Sequence, residues 1–113
     1  MINEYFDSHM QRIADTLLDS LPNEWSGVEL TAELEPENAA IRAYYWLEDE
    51  SEKEPVDLDM DALFSLVKDL RSLREITAQE GMPTWDIAVY SLNRDGEFSI
   101  DFRCKAEISK DSQ

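Results

Sequence analysis

The nine residues SGVELTAEL, from Ser26 to Leu34, constrain this chain more than any others. Val28, Leu30, Ala32 and Leu34 alternate with Glu29, Thr31 and Glu33. A period of two marks a strand with one buried face and one wet face. Such a strand cannot stand alone. Its backbone needs neighbouring strands, and its apolar side needs a covering layer.

The rest of the chain supplies both. Residues 2–21 place Phe6, Met10, Ile13, Ala14, Leu17 and Leu21 at helical spacing, and Pro22 closes that helix. The segment EPEN then turns the chain into a second strand, AAIRAYYWL, with Ile41, Ala43, Tyr45 and Leu47 inward and Arg42, Tyr44 and Trp46 outward. A second helix is expected over residues 59–80, with Leu63, Leu66, Val67, Leu70, Leu73 and Ile76 as its apolar stripe. Asp57, Asp59 and Asp61 stand at its start, where carboxylates cap free N–H groups. Gly81 and Pro83 stop it. TWDIAVYSL, the turn NRDG and EFSIDFRC read as a closing β-hairpin.

These elements predict one α+β domain over residues 1–113, in the order α-β-β-α-β-β, with a tail fraying from about residue 107. Two hairpins make a four-stranded antiparallel sheet, and both helices cover one of its faces. The uncovered face is expected to carry Glu29, Thr31, Glu33, Arg42, Tyr44, Trp46, Tyr90, Asp101 and Arg103.

Charge narrows the function. Twenty-six acidic side chains against 10 basic ones give a formal net charge of −16, yet the chain is 42% hydrophobic, which is too apolar for a disordered acidic polymer. So negative a surface repels nucleic acid and anionic membranes and attracts basic macromolecules. The single cysteine, Cys104, cannot close an internal disulfide, which suits a reducing compartment. MINEYFDSHMQR lacks the basic-then-apolar pattern of a secretory leader, and the apolar runs are short. A cytoplasmic protein is expected.

Side chains for catalysis are sparse. His9, the lone histidine, lies beside Met10 of the first apolar stripe and reads as a boundary residue. One histidine and one cysteine cannot close an ordinary zinc site. Gly27, Gly81 and Gly96 are too scattered for a phosphate loop. Asp57-x-Asp59-x-Asp61 opens like a calcium loop, but its sixth position is Ala62 and its twelfth Lys68. Neither catalytic residues, nor a metal, nor a cofactor is expected.

What remains is EDESEKEPVDLDMD, residues 48–61, with eight carboxylates and one lysine. A metal site, a solvated spacer and a docking surface for a basic partner all fit that composition. Beside it, Tyr44, Trp46 and Tyr90 could supply large contacts on the open sheet while carboxylates steer the encounter. The candidate partner-binding set is therefore Tyr44, Trp46, Glu48, Asp49, Glu50, Glu52, Glu54 and Tyr90.

Several segments together resemble the YezG-like immunity, or antitoxin, proteins, small acidic bacterial proteins encoded beside nuclease toxins. They are the opening helix running into LPNEW (Leu21 to Trp25), the aromatic strand AYYW, and the acidic passage into the long helix. The closing PTWDIAVYSLNRDGEFSIDFRC matches best, with Trp85, Gly96, Phe98, Asp101 and Phe102 placed as in that family. Arg103-Cys104 departs from it, since a tyrosine often follows the family's DF pair. The resemblance implies inhibition by binding: a monomer that neutralises a basic toxin domain one to one, without catalytic residues of its own. The rival reading is an acidic secretion chaperone of the type III kind, a dimer escorting an effector segment. A third is a DNA mimic with carboxylates spaced like phosphates.

Overall fold

The computed structural model describes residues 4–35, 37–47, 52–82 and 84–104. The first apolar stripe forms α1 (Glu4–Ser20), and the alternating segment forms β1 (Trp25–Leu34). β2 (Ala39–Leu47), the two-residue strand β3 (Glu54–Pro55), α2 (Met60–Gln79), β4 (Ile87–Asn93) and β5 (Phe98–Arg103) follow. The sheet order is β3-β2-β1-β4-β5, antiparallel throughout. The domain is thus α+β with two helices, as expected, but its sheet has five strands and the order is α-β-β-β-α-β-β. The added strand lies inside the acidic stretch. Glu54 and Pro55 pair with Tyr45 and Tyr44, and Val56 N donates to Ala43 O at 2.9 Å. Two paired residues are too few to leave a periodic trace in a sequence.

β1 is the centre of the sheet. Val28 sits between Tyr45 and Leu92, Leu30 between Ala43 and Tyr90, and Ala32 between Ile41 and Ala88. Val28, Leu30 and Ala32 are wholly buried. They face Ile13 and Leu17 of α1 and Leu66, Leu70 and Leu73 of α2 in one continuous core. Removing any of those leucines would forfeit about 2–5 kcal/mol.

Local chemistry holds the ends in place. Asp59 caps α2 by accepting from Ala62 N at 2.8 Å. At the other end Gly81, at φ 87°, lets its own N–H reach Ala78 O while Met82 N reaches Thr77 O, a Schellman closure. Arg71 of α2 reaches across to the carbonyls of Glu35 and Asn38 and pins the β1–β2 connection. In the β4–β5 turn Gly96 takes φ 88° and its N–H returns to Asn93 O, the three-residue loop with a bulge glycine.

Several aromatic residues of the closing segment that carry the family resemblance are structural. The Trp85 indole is buried, stacks on Phe102 at 4.5 Å and donates Nε1–H to Thr77 Oγ1 at 2.9 Å. Phe98 stacks on Tyr90, and Phe6 meets Phe102 edge-on.

Tyr90 is not on the open face. It lies on the core side, fully buried, with its hydroxyl donating to Met10 O of α1 at 3.1 Å. The reason is parity. Ala88, Tyr90 and Leu92 form the inward set of β4, matched to Ala32, Leu30 and Val28, so Ile87, Val89 and Ser91 take the outer face.

Candidate functional site

The open face can be laid out row by row from the strand registers. One row runs Pro55, Tyr44, Glu29, Ser91, Ser99; the next runs Arg42, Thr31, Val89, Asp101; a third runs Ala40, Glu33, Ile87, Arg103. Side chains directly opposite on antiparallel strands share a face, so each row is a line of neighbours. Carboxylates and guanidiniums alternate across it. Arg103 Nε bonds Asp101 at 3.2 Å. Away from the edge where Tyr44 and Trp46 lie, the face is mixed in charge and not an acidic plate.

At that edge the backbone makes room for a tryptophan. The β1–β2 register shifts between Trp25 and Gly27, and Gly27 comes to lie opposite Trp46. The Trp46 ring rests on Gly27: a Cβ there would come within 2.5 Å of Trp46 Cε2 and 2.9 Å of Nε1, and nearer still to Cζ2. Glycine is what lets the indole lie flat against the sheet. Lys53 Nζ sits 5.6 Å from the centre of that ring and 3.7 Å from a Glu29 oxygen. Tyr44, one row on, is 39% exposed. Trp46, Tyr44, Lys53 and Glu29 therefore form an aromatic–ionic cluster on the β2–β3 side of the open face.

The acid excess lies mostly in the connections. Three of them gather at the end of the sheet where β1 begins: the passage from α1 into β1, the end of β2 at Leu47, and the β4–β5 turn, since Trp25 pairs with Leu47 and Gly27 with Asn93. Glu24, Glu52, Asp95 and Glu97 are exposed in these connections. A polar hollow of about 570 Å³ opens there, lined by Asn23, Glu24, Trp25, Ser26, Asn93, Arg94 and Asp95. Arg94 frames it by donating to the carbonyls of Asn23 (2.7 Å) and Trp25 (2.8 Å) while lying 5.6 Å over the Trp25 ring. That guanidinium is fixed by backbone carbonyls, with Glu24 and Asp95 lining the same hollow.

Of the eight residues singled out from the sequence, Tyr44 and Trp46 share the open face; Glu52 and Glu54 are exposed in and next to β3, with Glu54 opposite Tyr45 and so on the helix side of that edge. Glu48, Asp49 and Glu50 lie outside the described residues. Tyr90 is removed from the set by its burial. Lys53 and Gly27 were not foreseen; a glycine opposite a tryptophan in paired strands was their only trace.

Chemistry-bearing groups elsewhere have structural partners. His9 Nδ1 lies 2.8 Å from Asp69 Oδ1 between the two helices, with Arg12 3.9 Å from the same oxygen. His9 is thus a half-buried residue at the boundary between the helices, and Asp69 is a buried carboxylate that a stripe of leucines concealed. Cys104 Sγ donates to Thr84 O at 3.3 Å. Among the described residues no group of three or more histidine, cysteine or carboxylate side chains is placed to hold a metal ion.

Comparison with known proteins places the chain in a family. The family model described as "Immunity protein YezG-like" matches residues 6–113. The chain belongs to the YezG-like immunity protein family. It is 27% identical over 112 residues to "Immunity protein YezG" of Bacillus spizizenii, a match that takes in 89% of this chain and 70% of that protein. Immunity by association with a toxin is the role that YezG-like membership supports, and it is the role the closing hairpin and the aromatic strand implied. No helix among the described residues is long and apolar enough to cross a membrane.

Proposed function

We propose that this YezG-like protein acts in the cytoplasm as a monomer, binding one copy of a cognate secreted nuclease toxin and blocking it. It does so as an inhibitor without catalysis, cofactor or metal. Nucleases hold phosphates with lysine and arginine, so their working surfaces are basic. The reading rests above all on one juxtaposition. The exposed Tyr44 and the Trp46–Lys53–Glu29 cluster adjoin, in sequence, the run that holds Glu48, Asp49, Glu50, Glu52 and Glu54, in a chain of net charge −16. In such an interface the rings supply the desolvated centre and the carboxylates supply steering and register.

The test pairs the chain with the C-terminal toxin domain encoded in the neighbouring reading frame. Reversing Glu48, Asp49, Glu50, Glu52 and Glu54 to lysine should slow association by about 10²-fold at low salt and flatten its salt dependence, while the melting temperature holds or rises. Association at the unchanged rate would overturn the assignment of this surface. A toxin domain that cuts neither RNA nor DNA would overturn the nuclease reading. An obligate dimer of this chain escorting an unfolded effector segment would favour the secretion chaperone instead.

A further inference from the structure

The edge opposite the acidic stretch ends in a strand with nothing on its far side among the described residues. β5 is the last strand of the sheet. Asp86 N and Asn93 N donate to Arg103 O and Glu97 O, so residues 97, 99, 101 and 103 turn their backbone groups toward β4. By the two-residue alternation, Phe98, Ile100 and Phe102 turn theirs outward. The side chains of the same three residues lie on the core face and are only partly covered. They open into a groove of about 560 Å³ whose other wall is Phe6 and Met10 of α1 and Ile76 of α2. Asp7 and Glu80, both exposed, stand on its rim, beside Met82 at 43% exposure.

An open ladder beside an apolar trough is the arrangement used for strand addition. Main-chain bonds give the affinity, and alternate side chains of the added strand drop into the pockets. Two strands of this same chain could pair across that edge, but self-association would set two bodies of net charge −16 and two pairs of rim carboxylates against each other. A basic occupant gains from the charge that a second copy loses. We infer that β5 and the groove beneath it take an edge strand of the toxin domain, with apolar residues alternating inward and lysine or arginine meeting Asp7 and Glu80. This builds on the immunity reading and adds to it a second contact, at the far side of the sheet from Tyr44 and Trp46.

Amide hydrogen exchange of the intact protein, alone and with the catalytically inert toxin domain from the neighbouring reading frame, tests the inference. In the free protein the amides of Phe98, Ile100 and Phe102 should exchange fast while those of Ser99, Asp101 and Arg103 are protected. In the complex the first three should slow by about 10-fold or more. The exposed double variant D7K/E80K should fold normally and bind that toxin domain about 10-fold more weakly. Unchanged exchange at the three amides in a complex that does form overturns the strand addition and leaves the immunity reading standing. Protection already present in the concentrated free protein and lost on dilution assigns the edge to a second copy, and overturns it too. Failure of the two proteins to associate at all overturns both readings.

Discussion

Removing one oxygen atom, in Tyr90→Phe, should reverse the stability order of wild type and variant between neutral and alkaline pH. The Tyr90 ring is fully buried, and its hydroxyl donates to Met10 O at 3.1 Å. At pH 8 the variant loses that hydrogen bond, but Met10 O remains inside a helix where it can accept from its own turn. The cost is therefore about 0.5–1.5 kcal/mol. Alkali acts in the opposite direction. Burial, reinforced by the negative charge of Asp15, pushes the Tyr90 phenol well above its ordinary range. Above the unfolded value of about 10 the unfolded chain sheds this proton while the native state keeps it. The unfolded state then binds fewer protons, so stability falls as pH rises, by about 1.4 kcal/mol per pH unit from this one group. At pH 11 the accumulated loss is about 1.4 kcal/mol, and Tyr90→Phe escapes it. The two urea-unfolding curves should therefore cross between about pH 10 and 11.5, every other titrating group being common to both proteins. A constant difference across that range would refute the burial argument. So would a variant of unaltered stability that had lost toxin binding, for that would put Tyr90 at the interface, as its place in the sequence suggested.

Gly27→Ala should drive the Trp46 ring off the sheet, costing about 1–3 kcal/mol in denaturant unfolding and blue- or red-shifting the Trp46 fluorescence through its loss of Lys53. An alanine accepted with unchanged emission and stability would mean that the ring does not rest on the glycine. Gly81→Ala, at φ 87° with open space around it, should cost about 1 kcal/mol from backbone strain alone, without altering toxin affinity. Asp59→Ala should lose about 1 kcal/mol by the same measurement, because Ala62 N is left without its cap. Asp69→Leu should hold its stability better than Asp69→Ala in thermal melts, since it refills the space between the helices while releasing the His9 contact.

How much of this was legible in the sequence depends on whether a residue's two neighbours along the strand differ from it. In β1 they do: Val28, Leu30, Ala32 and Leu34 stand against Glu29, Thr31 and Glu33, and the inward set is the one alternation names. In β5 aromatic and aliphatic residues again stand against serine, aspartate and arginine. Its face was legible, though not that the strand would be an edge whose inward residues stay half open. β4 is different. In IAVYSLN both parities begin apolar, so periodicity yields the strand and leaves its phase undetermined. A tyrosine suits either face, and the polar tip that suggests exposure is satisfied here by a helix carbonyl.

The same reasoning explains why the acidic stretch was conspicuous and yet incompletely read. A block of carboxylates announces a field, and a field has no face. Its position relative to the sheet depends on Glu54 and Pro55 pairing with Tyr45 and Tyr44, a contact set by β2's free edge rather than by any pattern in residues 48–61. That pairing brings Lys53, the one cation of the stretch and itself exposed, to Trp46 and Glu29 on the open face. A lysine that pairs with Glu29 and lies over Trp46 tethers the residues just before β3 to the sheet. If the connection steers a basic partner, Lys53→Ala should loosen it and slow association even though the variant is more negative. Simple charge counting predicts the opposite sign, faster association, so the rate measured at low salt decides between a positioned surface and a diffuse one.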